Sequence, residues 1–262
     1  MLAQRVAVAV IGVPVIFALV LIGGNLYVAA VAGALAVATL EFQRPRFGWF
    51  GHMSMLAAAF VAAIAGGAHV GSNWVLWFLL GATIVTLAAA LGRFNADTML
   101  SDWLWTIGGV VYVGALGSSL VLLRDFDNGR DWVLLTLFST YAVDTGAYFT
   151  GRAFGRHKLA PAISPKKTVE GLAGGCAAGF AAVALLNYFL GLRIDPWEVV
   201  ALGVVVPLAA TAGDLAESGM KRSMHIKDAS ELVPGHGGVL DRLDSLLFTF
   251  ASVYLFTQWI IL

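Results

Sequence analysis

Cysteine is almost absent from this chain: Cys176 stands alone among 262 residues. One thiol excludes an internal disulfide framework and a cysteine-built metal cluster. Cys176 sits in an Ala/Gly-rich run, the setting of an inert buried thiol. Charge is scarce as well. Asp, Glu, Lys and Arg make up 12% of the sequence, against about 25% in typical soluble domains, which sets an ordinary soluble fold aside. The 16 basic and 16 acidic residues cancel, so bulk charge points to no partner. Nucleic acid binding has no support, because the basic residues lie beside apolar runs without an aromatic-lined surface domain. The Gly-x4-Gly-Lys-Ser/Thr phosphate loop is missing. No low-complexity stretch, disordered tail or soluble domain is visible.

What the chain has is hydrocarbon: 59% of its residues are hydrophobic. A membrane-spanning helix needs about 20 mostly apolar residues. Nine candidates stand near 5–22, 26–41, 53–70, 74–92, 103–123, 132–150, 170–191, 198–217 and 240–261, the second of them short. The expected fold is all-α, a polytopic integral membrane helical bundle. Residues 1–130 supply N-terminal transmembrane helices, and residues 131–262 supply C-terminal ones that carry the polar site, within one membrane unit. The first run has the outline of a signal peptide, but it is long and further spans follow, so the reading is a retained first helix. Trp74, Trp77, Trp103, Trp105, Trp132, Trp197 and Trp259 cluster near the proposed ends, as interfacial anchors do. Pro14 and Pro207 fall inside helices, where a membrane span tolerates a kink.

Loop parity gives a side to each end. Arg5, Arg44, Arg46, Arg93, Arg152, Arg156, Lys158, Lys166, Lys167, Lys221, Arg222, Lys227 and Arg242 share one side, thirteen in all. Arg124, Arg130 and Arg193 are the three on the other. Basic loops stay in the cytoplasm, which places the N-terminus there, in the inner membrane, and the C-terminus outside. Asp125, Asp127, Arg130 and Asp131 then form a solvated outer turn.

Between Asp214 and Asp244 the composition changes. Ten charged residues stand there: Asp214, Glu217, Lys221, Arg222, Lys227, Asp228, Glu231, Asp241, Arg242 and Asp244, with His225 and His236. Charge beside membrane-grade sequence is costly and marks a functional site by default. Carboxylates at 214, 241 and 244 suit a hard divalent cation. Lys221, Arg222, Lys227 and Arg242 suit phosphates. The Gly-His-Gly-Gly turn at 235–238 lets backbone N–H groups approach an anion. Together these point to phosphoryl chemistry at a membrane surface.

A second polar stretch covers 141–171. Asp144 lies inside the sixth helix and needs a partner or a wet cavity; a structural ion pair would serve as well. The loop after it carries Arg152, Arg156, Lys158, Lys166 and Lys167 against one acid, Glu170. Such a loop is either a topology determinant that binds anionic lipid or part of a site. Ser164-Pro165-Lys166-Lys167-Thr168 favours a site, since two lysines stand between hydroxyls just before a helix start. Gly171, Gly175 and Gly179, four residues apart, form a small-residue packing stripe. It serves an internal contact or a homodimer equally.

These motifs resemble the CDP-diacylglycerol synthase family, also called phosphatidate cytidylyltransferase. The family signature appears as Ser218-Gly219-Met220-Lys221-Arg222, then Lys227-Asp228, then Pro234-Gly235-His236-Gly237-Gly238-Val239-Leu240-Asp241-Arg242-Leu243-Asp244. Upstream, Asp144-Thr145-Gly146-Ala147-Tyr148, Gly151-Arg152, Ser164-Pro165-Lys166-Lys167-Thr168, Glu170-Gly171 and Gly213-Asp214-Leu215 with Glu217-Ser218 are also similar to the family. The likeness covers roughly residues 140–245, and Val233 is a conservative variation in the spacer. The first 130 residues match only as hydrophobic helices.

The resemblance implies that CTP and phosphatidate give CDP-diacylglycerol and pyrophosphate, with Mg²⁺ as one or two divalent ions. The partners implied are CTP, phosphatidate and the lipid bilayer. Asp214 and Asp241 are the first candidates for metal ligands, then Asp244 and Asp144. Asp241 and Asp244, three apart, share a face if the ninth helix starts there. Lys221, Arg222, Lys227 and Arg242 are expected on the triphosphate or the lipid phosphate. Ser164, Lys166, Lys167, Thr168 and Glu170 are expected to bind substrate from the other segment, with Gly237 and Gly238 of the turn. His236 either donates to the departing pyrophosphate or braces the turn. Asp228 is expected to orient Lys227 instead of binding metal, while His225 matches no family position.

Two other readings compete. A related enzyme using CTP on another lipid, such as a polyprenol or phytol kinase or an ether-lipid CDP synthase, shares part of the pattern. The complete Lys-Arg to Asp-Arg-x-Asp series favours the diacylglycerol enzyme. The Asp-x-x-Asp-Gly-x-x-Ala-Arg core of CDP-alcohol phosphotransferases does not occur. A secondary transporter with ion sites in broken helices is the alternative of another class. Against it, no halves repeat and the polar groups crowd one side.

Overall fold

The computed structural model describes residues 2–233, 235 and 237–261, and the side chains of residues 10–233, 235 and 237–259. Nine helices stand among the described residues. They are α1 Leu2–Ile22, α2 Gly24–Phe47, α3 His52–Val70, α4 Ser72–Leu91, α5 Met99–Arg124, α6 Gly129–Phe154, α7 Val169–Leu190, α8 Pro196–Ser223 and α9 Leu240–Phe256. Helix α5 is π-helical over Val110–Ala115, and α9 continues as a π-helical turn over Thr257–Ile261. Helices α2, α3, α4, α5, α7 and α8 are long and apolar enough to cross a membrane. Helix α1 contributes a shorter apolar helix, Val10–Ile22. The chain is a polytopic helical membrane protein.

The all-helix expectation needs one amendment. The basic loop folds as an antiparallel hairpin of β1 Lys158–Ala160 and β2 Ser164–Thr168, with Lys158 opposite Thr168 and Ala160 opposite Ser164. The segment is too short and too polar to span, and Pro165 suits an edge strand.

The chain divides into two compact units. The first is Met1–Asp125 with Asp228–Leu243; the second is Phe126–Lys227 with Asp244–Leu262. In lipid, helix association rests on close packing and polar contacts, since the tails are as apolar as leucine. In the first unit α3 packs between α2 and α4, and the π-helical stretch of α5 lies against α3. Leu35, Ala38, Val61, Ile64, Val110 and Val113 are buried there. Gly117 admits Leu35 so closely that a Cβ on the glycine would stand 2.5 Å from Leu35 Cδ2. The buried Tyr27 hydroxyl donates to the Leu120 carbonyl at 3.0 Å.

Helix α2 runs six residues beyond the expected end at 41. Glu41, Phe42 and Gln43 are buried, and Gln43 donates Nε2 to the Thr106 carbonyl at 3.1 Å. The Glu41 carboxylate and the Gln43 amide nitrogen, which read as a helix exit, instead find partners inside the unit.

In the second unit α7 packs against α6 and α8. The glycine stripe makes that contact. A Cβ on Gly175 would lie 3.2 Å from Ala147 Cβ, and one on Gly179 would lie 2.6 Å from Val143 Cγ2 and 2.7 Å from Pro207 Cγ. The stripe therefore serves an internal contact between α6, α7 and α8.

Candidate active site

In the second unit the polar residues gather where the hairpin meets α8. Thr168 caps α7 by accepting the Gly171 N–H at 3.1 Å, satisfying one orphan donor of the first helical turn. Glu170, the second residue of α7, accepts the backbone N–H of Arg156 at 3.0 Å and of His157 at 3.2 Å. Its other oxygen meets His157 Nδ1 at 2.6 Å. Glu170 thus fixes the entry to the hairpin, a structural task the sequence reading did not give it.

Strand geometry separates the two lysines. Neighbouring side chains in a strand point to opposite faces. Lys166 is exposed and Lys167 is half-buried. Lys167 Nζ lies 2.6 Å from Asp214 Oδ2, and Ser218 Oγ donates to Asp214 Oδ1 at 3.3 Å. Ser164, at the start of β2, is half-buried.

Helix α8 presents Asp214, Glu217, Ser218 and Lys221 along one side, because residues three and four apart are neighbours on a helix. Lys221 Nζ stands 2.6 Å from Glu217 Oε2, and the Glu217 side chain is only 1% exposed. Lys221, expected on a phosphate, is here the partner of a buried acid. Arg222 reaches the other way: Nε donates to the Ile163 carbonyl in the hairpin turn and Nη1 to the Ile226 carbonyl, both at 3.4 Å. Lys227 is exposed, as is His225 with a left-handed φ of 58°.

Asp244 of α9 joins this cluster through its backbone. A Cβ on Gly213 would fall 2.5 Å from the Asp244 carbonyl oxygen, so α8 and α9 touch one residue from Asp214. Asp144 is exposed on α6, off the stripe of Val143, Ala147 and Gly151 that faces α7.

In the first unit lies the glycine turn. The Val233 N–H donates to the Gly237 carbonyl at 2.8 Å. Gly235 and Gly237 take φ of 74° and 82°, a region that glycine enters without steric cost. Pro234 and His236 lie outside the described residues. Asp241 is buried. Its Oδ2 accepts the Gly238 N–H at 2.7 Å and the Ala229 N–H at 3.0 Å. The anion approached by the Gly238 N–H is thus the protein's own Asp241. Asp228 and Arg242 are exposed.

One residue of this unit was missing from the sequence reading. Glu41 of α2 is fully buried. It accepts the N–H of Val239 at 3.0 Å, the N–H of Leu240 at 2.7 Å and the Ser230 hydroxyl. The signal was present: an acid at the end of an apolar helix obeys the same rule that singled out Asp144.

Among the described residues no group of three or more His, Cys, Asp or Glu side chains is placed to hold a metal ion. The donors of the second unit nonetheless suit a hard cation chemically. Asp214 is a partly exposed carboxylate that already has the Lys167 ammonium on one oxygen, a place where a cation is at home. Asp241 differs, with both carboxylate oxygens accepting backbone N–H groups.

The model of the cytidylyltransferase family matches residues 3–260. A phosphatidate cytidylyltransferase of Mycobacterium bovis is 37% identical over 187 residues, which are 71% of this chain and 61% of that protein. One from Staphylococcus haemolyticus is 32% identical over 177 residues, 68% of this chain and 67% of the relative. Another, from Staphylococcus aureus, is 29% identical over 240 residues, 89% and 91% of the two chains. The match thus spans less than two thirds of the mycobacterial protein.

Proposed function

The chain belongs to the cytidylyltransferase family, and from that premise we propose that it transfers the cytidylyl group of CTP to phosphatidate. A phosphate oxygen of phosphatidate attacks the α-phosphorus of CTP, the bond from that phosphorus to the β-phosphate oxygen breaks, and pyrophosphate leaves. CDP-diacylglycerol is the product. The nucleophile is anionic at neutral pH, so no strong general base is needed. The barrier is the approach of two anions, and positioning and charge neutralisation lower it.

One observation carries this reading: Lys167 of the hairpin and Asp214 of α8 meet at 2.6 Å. A strand from one motif-bearing segment and a helix from the other, β2 and α8, thus touch within the second unit. Lys166 and Arg222 are exposed, and exposed cationic side chains suit phosphate oxygens. The Asp214 ion pair links a basic strand to an acidic helix, and an incoming triphosphate would compete with Asp214 for the Lys167 ammonium. A divalent ion such as Mg²⁺ would supply charge neutralisation on the phosphates. Asp214 and Asp244 are the residues proposed to hold it.

The thirteen-to-three distribution of basic residues supports a cytoplasmic site in the inner membrane, with the N-terminus on the same side. The test is purified protein with CTP, phosphatidate and Mg²⁺, following pyrophosphate release. Label in the cytidine must reach the lipid. Label that arrives only from the γ-phosphate would indicate a CTP-dependent lipid kinase, and no transfer of either would sink the reading.

A further inference from the structure

Glu41 reaches the signature segment from a helix nearly the whole chain away. Its carboxylate is fully buried and takes three donors, the Ser230 hydroxyl and the N–H groups of Val239 and Leu240. A buried carboxylate is costly unless it is hydrogen-bonded, and charge-assisted bonds of this kind are the strong ones. The Val239 and Leu240 N–H groups stand at the start of α9 and lack intrahelical acceptors. Negative charge there also opposes the positive end of the helix dipole. Close approach is built in, since a Cβ on Gly238 would lie 2.6 Å from Glu41 Oε1 and 2.7 Å from Oε2.

The same helix holds the other end of the segment. Arg44, three residues on, donates Nη1 to the Ala229 carbonyl at 3.4 Å. The Ala229 N–H goes to Asp241 at 3.0 Å, and the Gly238 N–H goes to Asp241 at 2.7 Å. Each backbone group that fixes the Asp241 carboxylate is thus next in sequence to a group held by Glu41. Ser230 follows Ala229, and Val239 follows Gly238.

We propose that Glu41 is a positioning residue for the transfer reaction. It seats the start of α9 and the 229–240 segment, and through them sets the direction of Asp241 and Arg242. The catalytic part of this inference rests on the cytidylyltransferase reading and on the roles that the family resemblance implies for Asp241 and Arg242; the seating part rests on neither.

The isosteric variant Glu41→Gln tests it. A glutamine offers one oxygen and turns an NH₂ toward the donors, so a backbone N–H in the 229–240 segment loses its acceptor. A misplacement of about 1 Å costs up to roughly 100-fold in rate. The expected result is a kcat lower by roughly 10- to 100-fold, with KM for CTP within about twofold, measured well below the unfolding temperature. A residue that serves only stability would leave kcat unchanged there. Hydrogen exchange of the peptide covering 228–243 should quicken while peptides of α6 and α7 stay as in the parent protein.

Unchanged kcat with unchanged exchange overturns the proposal, as does quicker exchange with full kcat for the catalytic part. Should the glutamine variant not fold, Ser230→Ala is read on both measures, with quicker exchange and a several-fold lower kcat expected; no change in either overturns the proposal. A parent protein that transfers no cytidylyl group removes the reaction, and the exchange arm alone then decides the seating.

Discussion

Glu41 accepts the backbone N–H of Leu240 at 2.7 Å across 199 residues of sequence. The bond ties the second helix to the first turn of the last one. A stretch that resembles a family signature is thereby held by a part of the chain that, in sequence, looks like plain hydrophobic helix. Polar groups buried in low dielectric are costly when unpaired, so each such link fixes a backbone position.

Asp214→Asn is expected to remove cytidylyl transfer by about 100-fold or more, the scale of a lost preorganised electrostatic group. Pyrophosphate release measures it, and gel filtration in detergent should show the variant eluting as the parent does. An active variant would take Asp214 out of the reaction.

Lys167 and Lys166 should differ. Lys167→Ala breaks the ion pair with Asp214, in which the two side chains are 23% and 30% exposed. Partly exposed pairs contribute about 0–1 kcal/mol to stability, so the melting temperature should move little while KM for CTP rises. Lys166→Ala, on the opposite strand face, leaves that pair intact. Kinetics of both variants at several CTP concentrations decide whether the strand's two faces have different tasks.

Lys221→Ala should cost stability first. Its partner Glu217 is 1% exposed, and leaving one member of a buried pair alone costs about 3–5 kcal/mol. Thermal unfolding in detergent checks this. The double change Lys221→Met with Glu217→Leu should recover much of the loss.

Gly179→Val should destabilise by about 1–3 kcal/mol or more through overpacking, since its Cβ would meet Val143 and Pro207 below 3 Å. Gly33→Ala is the control, because nothing lies within 4 Å of the added Cβ. Comparable melting temperatures for the two variants would contradict the packing described for α7.

Sidedness is testable with the single cysteine. In a Cys176→Ala background, Asn128→Cys should react with a membrane-impermeant thiol reagent on intact cells. Asp97→Cys should react only after lysis. The reverse pattern would invert the proposed topology.

Asp144, Lys167, Asp214 and Asp241 were all legible because each breaks an apolar or local pattern. Their partners were not. Two adjacent lysines read alike in sequence, yet a strand sends them to opposite faces, and only β2 shows that Lys167 meets Asp214. The Gly-His-Gly-Gly turn reads as a cradle for a substrate anion, whereas the Gly238 N–H is given to Asp241. Glu170 reads as a substrate contact and holds the N–H groups of Arg156 and His157. The glycine stripe was ambiguous between a dimer and an internal seam until Val143, Ala147 and Pro207 were seen against it.

The sequence by itself determined a helical membrane protein, of whose described helices six are long and apolar enough to cross, because a span is a local property: a run of apolar side chains whose backbone satisfies its own hydrogen bonds. It also determined which residues are out of place in hydrocarbon. Tertiary structure alone decided who neutralises whom. A buried charge is satisfied by whatever donor folding brings within about 3 Å, and for Glu41 that donor lies at the far end of the chain.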